Sequence, residues 1–374
     1  MNFMIAFTVS LMGCCVTIPL YFRYGYHSNH NMLYFIISLI VASMPVFAVP
    51  DNIAFLGRHY LLVQRICYFI FITAVILFGL TFVRDFIWII CSILSKNVPS
   101  PLDTKYLHIV NILTLCLAFV CSVWALIEGN RVPTIKEQII YSEKIKEPKK
   151  IVLLTDLHLS RVVQNDKIQN IVERVNAQNA DAILLVGDII DDEAKYTKPL
   201  LNILKDLKAK NGIFYVSGNH EFYIGYNDSM KLIHQNNFIP LENNGVEIDS
   251  FYIGGVPDIP SSKRFKKSVD LEKTFQNAPQ NIYRILMAHT PVKFSQKPNI
   301  DLIVSGHTHG GQIFPFHLFS WAYNNRYLAG LYQMDKNTKI YVSRGTGQWG
   351  PQMRFLAPAE ITVLKFLPLN TDNN

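Results

Sequence analysis

The sequence predicts an N-terminal α-helical membrane domain with four spans, followed by an α/β domain with much parallel strand pairing. Two observations support this. Residues 1–128 carry only six of the 35 Lys and Arg residues and four of the 28 Asp and Glu residues, and the remainder alternates short apolar strand patterns with helical ones. Hydrophobic residues make up 50% of the 374 residues and charged ones 17%, whereas a soluble domain carries about 25% charged residues.

This composition excludes a disordered chain, a coiled coil and a disulfide miniprotein. The net charge of +7 indicates anionic partners, such as phosphorylated ligands or lipid head groups. It does not require nucleic acid, and we expect no nucleic-acid partner. The oligomeric state is left open.

Four uncharged apolar stretches define the predicted membrane domain, residues 1–128. They are Met1–Phe22, Met32–Pro50, Ile66–Val83 and Tyr106–Ile127. Each is close to the ~20 residues that a helix needs to cross ~30 Å of hydrocarbon. Six Lys and Arg residues flank the span ends on the side of the second domain and four on the other side. This bias favours a cytoplasmic second domain, tethered to a bacterial inner membrane or a plasma membrane.

Residues 129–150 are predicted to be a basic linker. Gly129, Pro133 and Pro148 interrupt regular structure, and four lysines lie between Lys144 and Lys150. The linker is either a solvated connector or a stripe that rests on the anionic head groups of membrane lipids.

The second domain alternates strands and helices in chain order. Predicted strands cover 151–155, 182–186, 212–216, 282–287, 302–304 and 339–342, and predicted helices cover 167–178 and 200–207. A hairpin is expected at 245–255. Five of the strands run directly into a cluster of Asp, His or Asn. Because ligands bind beyond the carboxyl ends of strands in open α/β sheets, these clusters predict one functional site.

The residue types in these clusters are those of a metal site. Asp156 and His158 are two positions apart, so they face the same way in an extended chain, and His307 and His309 repeat the arrangement. The carboxylate of Asp188 can bridge two cations. The other donors are Asn219, His220 and His289. This set suits two divalent ions, and the lack of cysteine after residue 128 favours manganese, iron or zinc held by nitrogen and oxygen.

The ordered set Asp156-x-His158, Gly187-Asp188, Gly218-Asn219-His220-Glu221, His289 and Gly306-His307-x-His309 closely resembles the calcineurin-like metallophosphoesterase superfamily. Gly310-Gly311-Gln312 and Ser343–Gly347 resemble its membrane-anchored branch, which includes transmembrane proteins with a metallophosphoesterase domain and relatives of UDP-2,3-diacylglucosamine pyrophosphatases. The resemblance implies a metallophosphoesterase domain over residues 151–368 and a four-layer α/β/β/α sandwich.

The resemblance also implies a role for each matched residue. Asp156, His158 and His309 would bind the first metal, Asn219, His289 and His307 the second, and Asp188 both. His220 would not be a ligand but would protonate or stabilise the leaving oxygen, and Asp191 would orient His220. Asn219 would also contact the phosphoryl oxygens. As a mechanism, we expect a hydroxide shared by the two metals to attack phosphorus in line.

The sequence departs from the family at one point that affects the substrate. Protein serine/threonine phosphatases have an arginine directly after the position of Asp191, whereas Asp192 and Glu193 follow here. Dephosphorylation of phosphoproteins is therefore doubtful. Arg161 and Arg344 are the alternative candidates for binding the phosphate, although each is also compatible with a surface ion pair.

The tether and the basic linker favour a lipid-like substrate. We expect a phospholipid-like or nucleotide-lipid pyrophosphate, such as UDP-2,3-diacylglucosamine in lipid metabolism, by analogy with the family. A cluster of basic residues at 255–267 is either a binding site for such a substrate or a solvated loop.

Two other classes of function stay open. One is a non-catalytic membrane sensor or transport accessory that only binds a phosphorylated ligand, and the other is a transporter.

Overall fold

The computed structural model describes residues 3–26, 28–47, 59–95, 97–99, 106–294 and 298–369. It consists of two compact units. The helical unit comprises residues 1–130, 313–315 and 350–356, and the α/β unit comprises residues 131–312, 316–349 and 357–374.

The helical unit contains the apolar stretches predicted as spans. The helices among its described residues are α1 (Phe3–Tyr24), α2 (Asn31–Phe47), α3 (Tyr60–Leu94) and α4 (Leu107–Asn130). By length and composition, α3 and α4 could each cross a membrane, with mean hydropathies of 2.6 and 2.3. The finding among the described residues is thus a helical N-terminal region with two candidate spans, and the four-span arrangement stays a prediction. Residues 48–58, which include the end of the second predicted span, lie outside the described residues.

Helix α3 continues past Val83, the last residue of the third predicted span. The charged pair Arg84–Asp85 lies within it, and the helix extends to Leu94. Asp85 accepts a hydrogen bond of 2.7 Å from Nε of Arg84 and also pairs with Arg23 at 2.8 Å. Arg84 donates further to Asn111. Because these charges are paired inside the unit, they do not force the helix to end.

The α/β unit is built on two six-stranded sheets. The first has the strand order β1-β12-β2-β3-β4-β5 and the second β10-β11-β9-β8-β7-β6. The strands are β1 (Thr134–Ser142), β2 (Lys149–Leu154), β3 (Ala182–Val186), β4 (Ile213–Val216), β5 (Ile239–Pro240), β6 (Asn244–Ile248), β7 (Phe251–Gly255), β8 (Tyr283–Met287), β9 (Leu302–Ser305), β10 (Gly330–Gln333), β11 (Lys339–Val342) and β12 (Glu360–Pro368). Strands β2, β3 and β4 pair in parallel, as do β7, β8 and β9.

Seven α-helices complete the described part of the unit. They are α5 (Asn165–Asn176), α6 (Ala194–Leu204), α7 (Asn219–Ile224), α8 (Tyr226–His234), α9 (Ile259–Arg264), α10 (Leu271–Phe275) and α11 (Phe316–Tyr323). The predicted strands and the helix at 167–178 lie within two residues of these bounds. Helix α6 begins six residues before the predicted 200–207, because Lys195 and Pro199 dilute the apolar pattern of its first half.

Side chains that alternate along the strands fill three cores. On β3, Ile183 and Leu185 face the core shared with α5 and α6, whereas Leu184 and Val186 face the core between the sheets. A third core lies on the other face of the second sheet and includes Phe275 of α10. Full burial of one such side chain stabilises the fold by about 1.5–3 kcal/mol. The α/β class is therefore confirmed, with two sheets between helical layers.

The structure differs from the prediction of a linker at 129–150. Residues Thr134–Ser142 form β1, which pairs in parallel with β12 at the edge of the first sheet. Charged residues such as Lys136 and Glu137 hide the strand pattern, and edge strands commonly carry such charges. The Lys144 ammonium donates to both carboxylate oxygens of Asp301 at 2.8 Å, so this lysine is paired within the unit.

Candidate metal centre

Both sheets present polar side chains just beyond the carboxyl ends of their central strands. Asp156 and His158 follow β2, and Asp188 follows β3. Asn219 and His220 open α7 after β4, His289 follows β8, and His307 and His309 follow β9. The parallel pairing of these strands brings residues from five separate stretches of chain to one edge.

The backbone at this edge is in an unusual conformation. Five candidate ligands have positive φ: Asp156 (54°), His158 (47°), Asp188 (51°), His307 (69°) and His309 (50°). Residues other than glycine rarely adopt the left-handed region, and each such position costs about 1–3 kcal/mol. A fold keeps five strained polar residues together where their side chains are needed, which supports a functional site.

Asp156, His158 and His309 form one group of possible metal ligands. All three are buried, and their ligand atoms lie within 4.8 Å of one another. Nε2 of His158 is 3.1 Å from Nε2 of His309, which in turn is 3.5 Å from Oδ1 of Asp156. This is the composition predicted for the first metal.

Asp188, His289 and His307 form a second group. Nδ1 of His289 contacts the Val186 carbonyl oxygen at 2.9 Å, and Nε2 lies 3.2 Å from Oδ2 of Asp188. A backbone contact at one ring nitrogen is the usual way to orient the other toward a metal. Nδ1 of His307 contacts Oδ1 of Asn219 at 2.8 Å, which adds the fourth predicted donor.

Asp188 connects the two groups. Its Oδ2 atom lies 3.8 Å from Nε2 of His158, in addition to its contact with His289. Burial by itself raises the pKa of this carboxyl, but the neighbouring His289 and His220 oppose burial, and the pKa lies well below its usual range. Asp188 is therefore ionised, the form that a carboxylate needs to bind metal ions.

His220 lies beside the donor groups and is oriented by Asp191. Nδ1 of His220 contacts one oxygen of Asp191 at 2.5 Å, and Nδ1 of His158 contacts the other at 3.1 Å. Burial lowers the pKa of His220, but Asp188 and the bond to Asp191 outweigh burial and raise it to about 9. Burial raises the pKa of Asp191, whereas its bonds to the two histidines lower it to about 2. The pair suits a protonated imidazole held by a carboxylate.

Glycine is required at two points of closest approach. A Cβ atom on Gly218 would lie 2.2 Å from Oδ1 of Asp188, and one on Gly306 would lie 2.3 Å from Oδ2 of Asp156. Both distances are far below van der Waals contact. The glycines before Asn219 and His307 therefore let the strand ends close around the carboxylates.

Glu221 has a role that the sequence interpretation did not assign. Its side chain is fully buried, and its carboxylate accepts hydrogen bonds from four backbone N–H groups. The donors are Asp188 (3.1 Å), Ile189 (2.7 Å), Ile190 (2.9 Å) and Gly218 (2.7 Å). Burial is the main cause that raises the pKa of Glu221, to about 7. The available signal was its place in the motif, directly after His220.

The two predicted phosphate-binding arginines differ in their surroundings. Arg161 donates from Nε and Nη2 to the carboxylate of Asp192, both at 2.6 Å, and stacks 4.1 Å from the ring centroid of Tyr196. Arg344 packs its aliphatic carbons over Gly310, next to His309, and its Nη1 atom lies 3.4 Å from Glu360. Arg344 is thus the one adjacent to the donor groups, and both roles stay predictions.

Comparison with known proteins identifies relatives of this chain. Residues 149–311 match the calcineurin-like phosphoesterase family. An uncharacterised metallophosphoesterase of Helicobacter pylori is 40% identical over 246 residues, which are 65% of this chain and 66% of that protein. One of Campylobacter jejuni is 33% identical over 295 residues, 77% of each chain. A transmembrane protein with metallophosphoesterase domain from Bos taurus is 36% identical over 232 residues, 58% of this chain and 52% of that protein.

Proposed function

Because this chain belongs to the calcineurin-like phosphoesterase family, we propose that it hydrolyses a phosphodiester or pyrophosphate bond with two divalent metal ions. One observation carries the proposal. Two groups of nitrogen and oxygen donors meet at Asp188, and His220, held by Asp191, lies beside them.

The donors fit a pair of divalent ions. Asp156, His158 and His309 would hold one ion, Asn219, His289 and His307 the other, and Asp188 both. The mixture of imidazole and carboxylate favours manganese, iron or zinc. When bound, such ions stabilise negative charge on the phosphoryl oxygens and lower the pKa of water.

His220 would act as the general acid. Since Asp191 holds Nδ1, Nε2 is the nitrogen that can give its proton to the leaving oxygen as the bond from phosphorus to that oxygen breaks. In the metal-free chain, Asp188 and Asp191 raise the pKa of His220 to about 9, so the imidazole is protonated there at neutral pH. The Asn219 amide and the Arg344 guanidinium would contact the phosphoryl oxygens. General-acid help is typically worth ~10²–10⁴-fold in rate.

The helical unit supports a substrate at a membrane. Two helices are long and apolar enough to span, and a relative from Bos taurus is named a transmembrane protein. We therefore assign the chain to a bacterial inner membrane or plasma membrane, with four spans and a cytoplasmic α/β unit. A lipid-linked pyrophosphate such as UDP-2,3-diacylglucosamine is the substrate class that this arrangement would serve.

Hydrolysis of bis-p-nitrophenyl phosphate by the full chain in detergent, loaded with manganese, tests the proposal. We expect His220→Ala to lower turnover of a diester with an alkoxide leaving group by about 10²–10⁴-fold, and to lower turnover of bis-p-nitrophenyl phosphate less, because p-nitrophenolate needs little protonation. Manganese binding should persist in this variant. The control is His234→Ala, which removes an exposed histidine from α8 and should leave turnover unchanged. A wild-type chain that binds manganese and phosphate without hydrolysis would instead support a ligand-binding sensor or transport accessory.

A further inference from the structure

Two exposed aromatic side chains flank His220. The ring centroid of Tyr223 lies 5.4 Å from that of His220, and the ring centroid of Trp349 lies 6.0 Å from it. More than half of each side chain is exposed, 55% for Tyr223 and 56% for Trp349. They come from separate stretches of chain, since Tyr223 lies on α7 and Trp349 follows β11.

The backbone of Trp349 is fixed relative to the metal ligands. The side-chain amide of Gln312 donates to the Trp349 carbonyl at 2.8 Å, and its oxygen accepts from the Trp349 N–H at 3.2 Å. Gln312 follows the candidate ligand His309 by three residues. A single amide therefore holds both backbone groups of Trp349 while the indole stays open to solvent.

A structural role accounts for Tyr223 only in part: its side chain hydrogen-bonds to that of Asn219, but more than half of the residue is left exposed. The imidazole of His220 is already oriented by Asp191 through Nδ1, so it does not need aromatic neighbours for that purpose. Single exposed rings are common on protein surfaces, but here two rings from separate stretches of chain both lie within about 6 Å of His220. Exposed rings beside the group that protonates the leaving oxygen are placed to contact the leaving group itself.

We propose that Tyr223 and Trp349 form a stacking site for the leaving group, and that this group carries a planar aromatic ring such as a nucleobase. The inference rests on the proposed hydrolase function and names its substrate class. Aromatic side chains bind any nucleobase through its flat face and tolerate changes of base. The substrate is therefore a nucleotide derivative.

The surroundings of the two rings favour a nucleotide over an acyl chain. An acyl chain needs a continuous apolar groove, whereas His220 and Asp191 next to the rings are polar or charged. Burial and the charge of Asp258 raise the pKa of Tyr223, and the positive charge of Arg264 acts against this rise. Two flat rings with a cation nearby match a ligand that combines a planar base with negative charge.

Two phosphate monoesters that differ only in the base test the inference. Binding of AMP and of ribose 5-phosphate to the manganese-loaded full chain in detergent is measured by calorimetry. We expect AMP to bind roughly 5- to 150-fold more tightly, the range expected for one stacked base. Trp349→Ala should remove most of this preference and leave the affinity for ribose 5-phosphate unchanged, and Trp349→Phe should restore part of it.

The control is Trp321→Ala, which removes a tryptophan of α11 that is also exposed. It should retain the preference for AMP. Equal binding of the two ligands by the wild type would overturn the inference, as would an equal loss of both affinities in Trp349→Ala.

Hydrolysis of bis-p-nitrophenyl phosphate separates the stacking site from the proposed hydrolase function. A preference for AMP without hydrolysis would refute the proposed function alone, and hydrolysis without the preference would refute the stacking site alone.

Discussion

Substituting Glu221 with glutamine should disconnect the turn that carries Asp188 from the turn that carries Asn219. One carboxylate oxygen accepts from the N–H groups of Ile189 and Ile190, and the other accepts from Asp188 and Gly218. Glutamine keeps one oxygen and puts an NH₂ group against two N–H donors, which then have no acceptor. The perturbation therefore removes two hydrogen bonds at the site without changing side-chain volume.

The size of the effect follows from the number of bonds lost. At about pH 8, above the Glu221 pKa of about 7, the carboxylate is charged. A hydrogen bond to a charged group contributes about 1.5–3 kcal/mol, so the loss of two should then lower the free energy of unfolding by about 3 kcal/mol or more. For a unit of this size that corresponds to a decrease in Tm of about 6–12 °C. Because the same bonds hold the Asp188 turn, manganese affinity should also fall, by about tenfold or more.

Thermal unfolding and a manganese titration on the full chain measure the two effects. Asp181→Asn is the matched control, because Asp181 is also buried and accepts a backbone N–H, from Lys150 at 2.7 Å, but at the opposite end of β3. It should lower stability and leave manganese affinity unchanged. Wild-type manganese affinity in Glu221→Gln would refute the role assigned to Glu221.

Three further predictions concern single side chains of the site. The pKa of His220 is raised to about 9 in the metal-free chain. Protonated His220 therefore stabilises the fold fully below pH 6.5, and this contribution is lost as the pH rises through about 9. Asp191→Asn should lower the pKa of His220, which NMR titration can measure. Gly218→Ala puts a Cβ atom 2.2 Å from Asp188 Oδ1. It should lower the free energy of unfolding by about 1–3 kcal/mol and also weaken manganese binding. A variant with normal stability and normal manganese affinity would contradict the packing argument. Arg344→Ala should raise KM for bis-p-nitrophenyl phosphate by about tenfold with little change in kcat, and the reverse pattern would exclude a role in substrate binding.

The sequence predicted well those strands whose residues are all apolar and buried. The five residues of β3 are all buried, so an uninterrupted apolar run predicted the strand with its observed bounds. β1 escaped prediction because it lies at an edge, is rich in charges, and depends on β12, more than 200 residues away. A single sequence does not reveal which distant segment pairs with a charged strand.

The site shows the same division. The candidate ligands were predictable because each stands directly after an apolar strand and has a side chain that binds metals. Glu221 and Trp349 were not assigned because their positions depend on backbone contacts made by the folded chain. Glu221 accepts from turns that meet only in the folded sheet, and Trp349 is held by the distant Gln312. Chemistry carried by side chains is visible in a sequence, whereas support through the backbone is not.

The left-handed backbone of five candidate ligands makes a last prediction about metal removal. Five such positions cost on the order of 10 kcal/mol, comparable with the net stability of ~5–15 kcal/mol of a typical domain. The sheets and Glu221 must offset this cost in the metal-free chain, and bound ions would add to the stability. Manganese at 1,000 times its Kd adds about 4.1 kcal/mol, which should raise the Tm by about 8–16 °C. Removal of metal with EDTA should reverse the increase, whereas Asp188→Ala should show little of it because Asp188 contacts both groups of ligands. A Tm that does not respond to manganese would show that the strained donors do not bind the ion.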